Sequence, residues 1–283
     1  MSKVIESYKK GWQFLWNHKS VLCVIYIINL LLAYLSVGPL KNYLESAFGS
    51  STLAKKLADK FDYTIIMDVI NNYGVGVGVS LSSLFTFIFI YVFWSSFTGA
   101  GVMGLVKKRK QNPDDNFKLV QFFIEGAIYF FRFLRVSIYL LFTYAVVLFL
   151  MFKFFSKDGL SVFEFESEVF LINRFWILII LFIIIAFFGS IFRDIARSFI
   201  VIEDQPNILK SNIKALKSIV IVESIALSLI NLIPLVIISA LYYLLRNVLN
   251  EPFIVAFIIS QIFLLFRIIY RIVRCASFLE FTD

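Results

Sequence analysis

Charge is scarce in this chain. Only 16% of its 283 residues are Asp, Glu, Lys or Arg, against about 25% in ordinary soluble domains. With 60% apolar residues, the shortage excludes intrinsic disorder, which needs the opposite balance. It also excludes a water-soluble globule, since one core of this length cannot hide so much apolar surface. Histidine is rarer still: His18 stands alone. No metal site can then be built from imidazoles, and no nucleophile has a choice of histidine base. Cys23 and Cys275 are the only cysteines. They show no CxxC spacing and frame no disulfide scaffold. No cofactor, metal or catalytic residue is expected.

What the chain has instead is long hydrophobic runs. Residues 175–192 read FWILIILFIIIAFFGSIF, with fourteen Ile, Leu or Phe and no charge. Those side chains favour membrane insertion by about 4–8 kcal/mol. Runs of about 20 apolar residues span a bilayer as helices. Six are predicted, over residues 20–37, 79–106, 133–155, 171–192, 218–241 and 253–270. The fold class is therefore all-α: a single polytopic membrane helical bundle with about six transmembrane helices and added interfacial helices. The fourth span should continue as helix to Val201. The first run is longer than the core of a signal peptide and reads as a retained anchor.

Six spans put both termini on one side, and the basic residues choose it. The net charge is +8. Lys3, Lys9, Lys10 and Lys19 precede span one, and Lys107, Lys108, Arg109, Lys110 and Lys118 follow span two. Arg193, Arg197, Lys210, Lys214 and Lys217 follow span four, and Arg271 and Arg274 follow span six. The opposite loops hold far fewer, and the loop before span four is acidic, with Asp158, Glu164, Glu166 and Glu168. By the positive-inside rule both termini are cytoplasmic. Basic charge here serves topology and anionic lipid, not nucleic acid, for which the chain offers no soluble platform.

Three segments between spans carry their own patterns. In residues 1–19, Val4, Tyr8, Trp12, Leu15 and Trp16 share one helical stripe. This predicts a cytoplasmic interfacial helix with tryptophans at head-group depth. In residues 38–78, apolar residues recur at helical spacing around Leu40–Phe48, Leu53–Phe61 and Ile65–Ile70, with Ser50 and Ser51 as caps. This predicts short helices forming an outer-face amphipathic cap. The glycines of 74–78 should give a flexible lead-in to span two. Finally, Asn112, Pro113, Asp114, Asp115 and Asn116 suit a helix start, so a helix should begin there and feed span three, with Arg132 and Arg135 near the interface.

Two sets of residues are candidates for function. The first is Arg132, Arg135, Arg193, Asp194 and Arg197, on the cytoplasmic side, as contacts for lipid head groups or a partner protein. Arg193 and Arg197 are one turn apart, and Asp194 should pair with Arg197 at i, i+3. The second is an intramembrane polar site of Asn29, Glu223, Asn231, Pro234 and Gln261. Glu223 should lie just inside span five, and Pro234 should kink that span and free backbone carbonyls. Broken helices of this kind build substrate sites in transporters. The small residues Ser95, Ser96, Thr98, Gly99, Ala100, Gly101 and Gly104 fit close helix packing, with a pore lining as the alternative.

Three stretches together suggest a relationship: Tyr8-Lys-Lys-Gly-Trp-Gln-Phe-Leu-Trp-Asn17, residues 99–135, and Asp194-Ile-Ala-Arg197 through Glu203 to Ala215-Leu216. In order and spacing they resemble a broad group of bacterial six-span proteins. The nearest named relative is the membrane domain attached to some glycerophosphoryl diester phosphodiesterases. That resemblance implies a helical bundle of the bacterial inner membrane with a lipid-handling or accessory role. It implies no phosphodiesterase activity, because the catalytic barrel has no counterpart here.

The function expected is therefore non-catalytic: a lipid-binding, scaffold or accessory subunit whose partners are membrane lipids and another membrane or cytoplasmic protein. The alternative is a permease for an apolar or amphiphilic solute. A membrane-embedded enzyme would need polar groups from several spans around one pocket.

Overall fold

The computed structural model describes residues 2–48, 63–112, 119–156, 168–204, 207–219, 222–248 and 253–282. Among the described residues the chain is entirely helical, with eight helices and no strand. They are α1 (Ser2–Asn17), α2 (Lys19–Phe48), α3 (Tyr63–Gln111) and α4 (Leu119–Ser156), followed by α5 (Glu168–Ile202), α6 (Ile208–Ile219), α7 (Val222–Val248) and α8 (Phe253–Thr282).

Five stretches are long and apolar enough to cross a membrane: Lys19–Ser36, Phe85–Gln111, Leu119–Met151, Trp176–Ile202 and Val222–Leu244. They fall on the first five predicted spans. The sixth prediction covers the N-terminal part of α8, whose described residues also carry Arg267, Arg271 and Arg274. As expected, α5 continues past the fourth span, to Ile202. Span five starts later than residue 218, because α6 ends at Ile219 and α7 opens at Val222.

The outer stretch differs from its prediction at both ends. Helix α2 runs on through Gly38 and Pro39 to Phe48. Helix α3 begins at Tyr63 and takes in the glycines of 74–78 as helix. The flanking helices thus lengthen over the described parts of this stretch, while the helix expected around Leu53–Phe61 lies outside the described residues. The expected caps at Ser50 and Ser51, the helix start at 113–116 and the acidic residues 158–166 lie outside the described residues.

The chain divides into two compact units. The smaller, residues 23–95, comprises most of α2 and the first part of α3. It turns Leu31, Tyr34, Phe85 and Phe89 outward. The larger comprises residues 1–22 and 96–283.

In the larger unit the packed core lies at one end of the helices. Buried side chains come from the C-terminal parts of α3 (Ala100, Met103, Leu105), α5 (Ile191, Ile195, Ile200) and α8 (Val273, Phe278, Leu279). The N-terminal parts of α4 (Phe122, Phe133) and α7 (Leu227) complete it. Helices that alternate in direction meet here, at the end the basic residues mark. Away from it α4 and α5 expose Phe142, Phe149, Trp176, Ile177 and Ile183, while Ser96, Ser137, Asp194, Arg197 and Arg274 lie inside. Apolar outside and polar within is the pattern hydrocarbon demands.

Small residues bring the helices together. A Cβ on Gly101 would stand 2.6 Å from the Phe122 ring, and one on Gly104 2.5 Å from Glu125 Cβ. The small-residue run of span two therefore packs α3 onto α4. Close approach supplies the van der Waals contact that replaces a hydrophobic drive inside a bilayer.

Helix α1 corrects its prediction. Val4, Phe14 and Leu15 are buried, together with Ser7 and Gly11. Its inner face packs on α8, where a Cβ on Gly11 would meet Val273 O at 2.8 Å and the Ser277 side chain. The pairing is antiparallel: Lys3 stands over the Phe281 ring at 5.5 Å, near the end of α8. Part of the stripe taken for a membrane-facing surface is thus a helix–helix seam, with Gly11, a residue outside the apolar count, at its closest point. Trp16 does remain exposed.

Candidate functional site

The site begins at the C-terminal end of α5, where arginines cluster and the converging helices bury them. Asp194 is 1% exposed. Its Oδ2 lies 2.6 Å from Arg274 Nε of α8, and its Oδ1 accepts from Arg193 Nε at 3.2 Å. Both carboxylate oxygens are thereby committed to guanidinium groups. Arg274 uses its other nitrogens as well, donating from Nη1 to Tyr270 Oη at 2.8 Å and from Nη2 to Ser190 Oγ at 2.9 Å. It also stacks against Tyr270 and Phe278. Burial by itself lowers the pKa of Arg274, but Asp194, Tyr270 and Cys275 together hold it above the ordinary arginine value. Beside it, burial pushes the Cys275 thiol up, which leaves it an inert packing group.

The pairing differs from the one expected within α5. Arg197 turns away from Asp194 toward α4, where its Nη2 donates to Ser137 Oγ at 2.8 Å. Its guanidinium lies 5.1 Å from the centre of the Phe133 ring. Gly99 leaves room for it, since a Cβ there would stand 3.2 Å from Arg197 Nη1. Ser137 also donates to Phe133 O and shares a 2.9 Å hydrogen bond with Ser96. Sequence reasoning missed Arg274, Ser137, Ser96 and Tyr270. Arg274 had been counted only for topology, and no local pattern joins residues so far apart in the chain.

The other cytoplasmic candidates lie at the rim. Arg132 Nη1 donates to Asp204 Oδ1 at 2.6 Å, and Arg135 is exposed. Asp204 adopts a left-handed φ of 48° just past α5, a conformation Asp tolerates better than most residues. Lys107 Nζ donates to Val201 O at 2.7 Å, placing a cation on the C-terminal carbonyls of α5. Lys108 meets buried Glu125 at 2.7 Å. Lys110 and Lys10 both approach Glu280, and an Asn17 amide oriented to suit accepts from Arg109 at 2.7 Å. Much of the basic charge thus ties helix ends together.

Helix α6 is capped by Asn207, whose Oδ1 accepts from Leu209 N at 3.1 Å. Lys214 reaches Glu203 at 2.6 Å. The small Ser211 and Ala215 face inward, while Leu209, Ile213 and Leu216 are 60, 54 and 58% exposed. They recur at i, i+4 and i+7, flanked by Lys210 and Lys217.

The intramembrane candidates do not assemble as one set. Asn29 belongs to the smaller unit and donates to Ile25 O of its own helix at 2.8 Å. Glu223 sits exposed in the first turn of α7, where a carboxylate suits the helix dipole, at the start of the Val222–Leu244 stretch. Pro234 lies within α7, and Gln261 is half-buried on α8. Asn231 is 1% exposed and donates to Leu227 O at 2.9 Å. Its Oδ1 is buried without a partner, as is Ser228 Oγ on the same face.

No group of three or more metal-ligating side chains occurs among the described residues. No protein-family model, curated protein or solved structure matches the chain.

Proposed function

We propose that this chain is a non-catalytic integral protein of a bacterial inner membrane. Six helices cross the bilayer, both termini are cytoplasmic, and the basic end binds anionic lipid in a scaffold or accessory role. The observation that carries the reading is the outward face of α6. Leu209, Ile213 and Leu216 form an apolar stripe with Lys210 and Lys217 along one edge, a composition that lies at the boundary of head groups and acyl chains. Burying each such side chain contributes about 1.5–3 kcal/mol, and each lysine near an anionic surface about 1 kcal/mol. Arg132 and Arg135 stand at the same end of the bundle. The antiparallel seam of α1 on α8, with Lys3 beside Phe281, supports both termini on one face. The resemblance to the membrane domain of glycerophosphoryl diester phosphodiesterases points the same way.

The test is lipid retention by the full chain purified in detergent. Native mass spectrometry should find phosphatidylglycerol or cardiolipin retained in preference to phosphatidylcholine. Replacing Lys210 and Lys217 by Gln, with Ile213→Ser, should erase that preference. Equal retention of all three lipids by the unaltered protein contradicts the reading.

A second reading, a permease, draws on the buried and unpartnered Asn231 Oδ1 and Ser228 Oγ one turn before Pro234. Its test is flux of an amphiphilic solute into proteoliposomes, lost in Asn231→Leu.

A further inference from the structure

The arginine cluster holds more positive charge than its carboxylate balances. Asp194 divides its two oxygens between Arg193 and Arg274. Arg197 is 2% exposed and has no carboxylate within ion-pair distance among the described residues. Its polar contact is the neutral Ser137 hydroxyl, and its Nε is buried with no hydrogen-bond partner. A buried cation is retained when something of opposite charge meets it.

We propose that this end of the bundle binds a single phosphate-bearing anion between Arg197 and Arg193. The sign of the excess charge selects an anion. The guanidinium fork selects an oxyanion, whose paired oxygens match two parallel N–H groups. Arg197 Nε is a buried donor with neither a hydrogen bond nor a carboxylate at ion-pair distance among the described residues. One helical turn away on α5, Arg193 gives only its Nε to Asp194, and its side chain is 37% exposed, so it links the buried site to the surface. Ser137, whose one proton goes to Phe133 O, accepts from Arg197 and from Ser96 and so helps to place the guanidinium. Arg274 is ion-paired to Asp194 and donates to Tyr270 and Ser190, so it holds Asp194 in place. The phosphate can be a lipid head group or a free ion in the cytoplasm, because the chemistry of recognition is the same. The site rests on the membrane reading but not on the lipid-facing role of α6.

Thermal unfolding of the full chain in a neutral detergent tests the site. Two probes are titrated at constant ionic strength with chloride as the reference: inorganic phosphate and dihexanoyl phosphatidic acid. Either probe should raise the midpoint in a saturable way. Response to the lipid alone assigns a head group as ligand, and response to both assigns the phosphate itself. Arg197→Gln should weaken the response roughly tenfold or more, and Arg197→Lys, which keeps the charge but loses Nε, should do the same. Lys9→Gln, exposed on α1, should bind as the unaltered protein does. If neither probe exceeds chloride, or if the Arg197→Lys protein binds phosphate at full strength, the proposal is wrong. Phosphate binding through Arg197 without any preference for anionic lipid would leave this site standing and remove the proposed function. Lipid preference that survives with an unresponsive Arg197 does the reverse.

Discussion

Asp194 Oδ2 and Arg274 Nε lie 2.6 Å apart, joining the C-terminal ends of α5 and α8 through a pair almost wholly removed from solvent. Such a pair is costly to break from one side, because the surviving charge stays buried. Asp194→Asn should therefore destabilise the bundle by about 3–5 kcal/mol. Denaturant unfolding in detergent checks this. Replacing Asp194 and Arg274 together by Asn and Met should cost less than the sum of the two single changes, and strict additivity would show that the pair does not couple these helices.

The seam between α1 and α8 closes over Gly11. Gly11→Val forces a side chain against Val273 O and Ser277, and should cost about 1–3 kcal/mol. Because α1 is terminal, the expected result is loosening of that helix with the rest intact. Hydrogen exchange followed by mass spectrometry should show faster exchange over residues 2–17. Unchanged protection there would mean that α1 is not held by this contact.

His18 adds a pH dependence. Its ring stacks on Phe14 with 4.4 Å between centroids, and its Nδ1 lies 2.9 Å from Phe14 O. Burial lowers its pKa, and Arg109 lowers it further, against the opposing hydrogen bond to Phe14. The unfolded ring titrates near about 6.5, above the folded one. Between those two values the unfolded chain binds more protons, so stability rises with pH there and is lost as the pH falls through the window. The melting midpoint of the unaltered protein should drop on acidification below about 6.5, and that part of the drop should vanish in His18→Asn. A pH profile identical in the two proteins would contradict the assignment.

For α6 the expectation concerns depth. A nitroxide placed at Ile213 should be quenched by lipid-soluble oxygen in proteoliposomes, and one at Lys210 by an aqueous nickel complex. The reverse order would turn the apolar stripe toward a protein partner instead of lipid.

Hydrophobic length reads directly from residues, which is why five of the predicted spans coincide with helices and why α5 runs past its span to Ile202 as expected. The helical state of residues 38–48 and 74–78 was harder to see. Gly38, Pro39 and the 74–78 glycines weaken helix propensity, yet α2 and α3 run through them. The site was half legible. Arg193, Asp194 and Arg197 stand close together in the sequence and in the fold. Their partners Ser137, Ser96 and Arg274 come from other helices, and a serine in a membrane span carries no local mark of the arginine it will meet. Glu223 and Asn231 show the same limit. Spacing put both inside span five, while a late helix start leaves Glu223 exposed and Asn231 buried.

Membrane crossing with the basic ends in the cytoplasm underlies every functional claim, and its most direct test is topology. Alkaline phosphatase and green fluorescent protein, fused in turn to each terminus in bacterial cells, report the side of the membrane. Fluorescence without phosphatase activity at both ends is the predicted result. Phosphatase activity at either end would contradict the account.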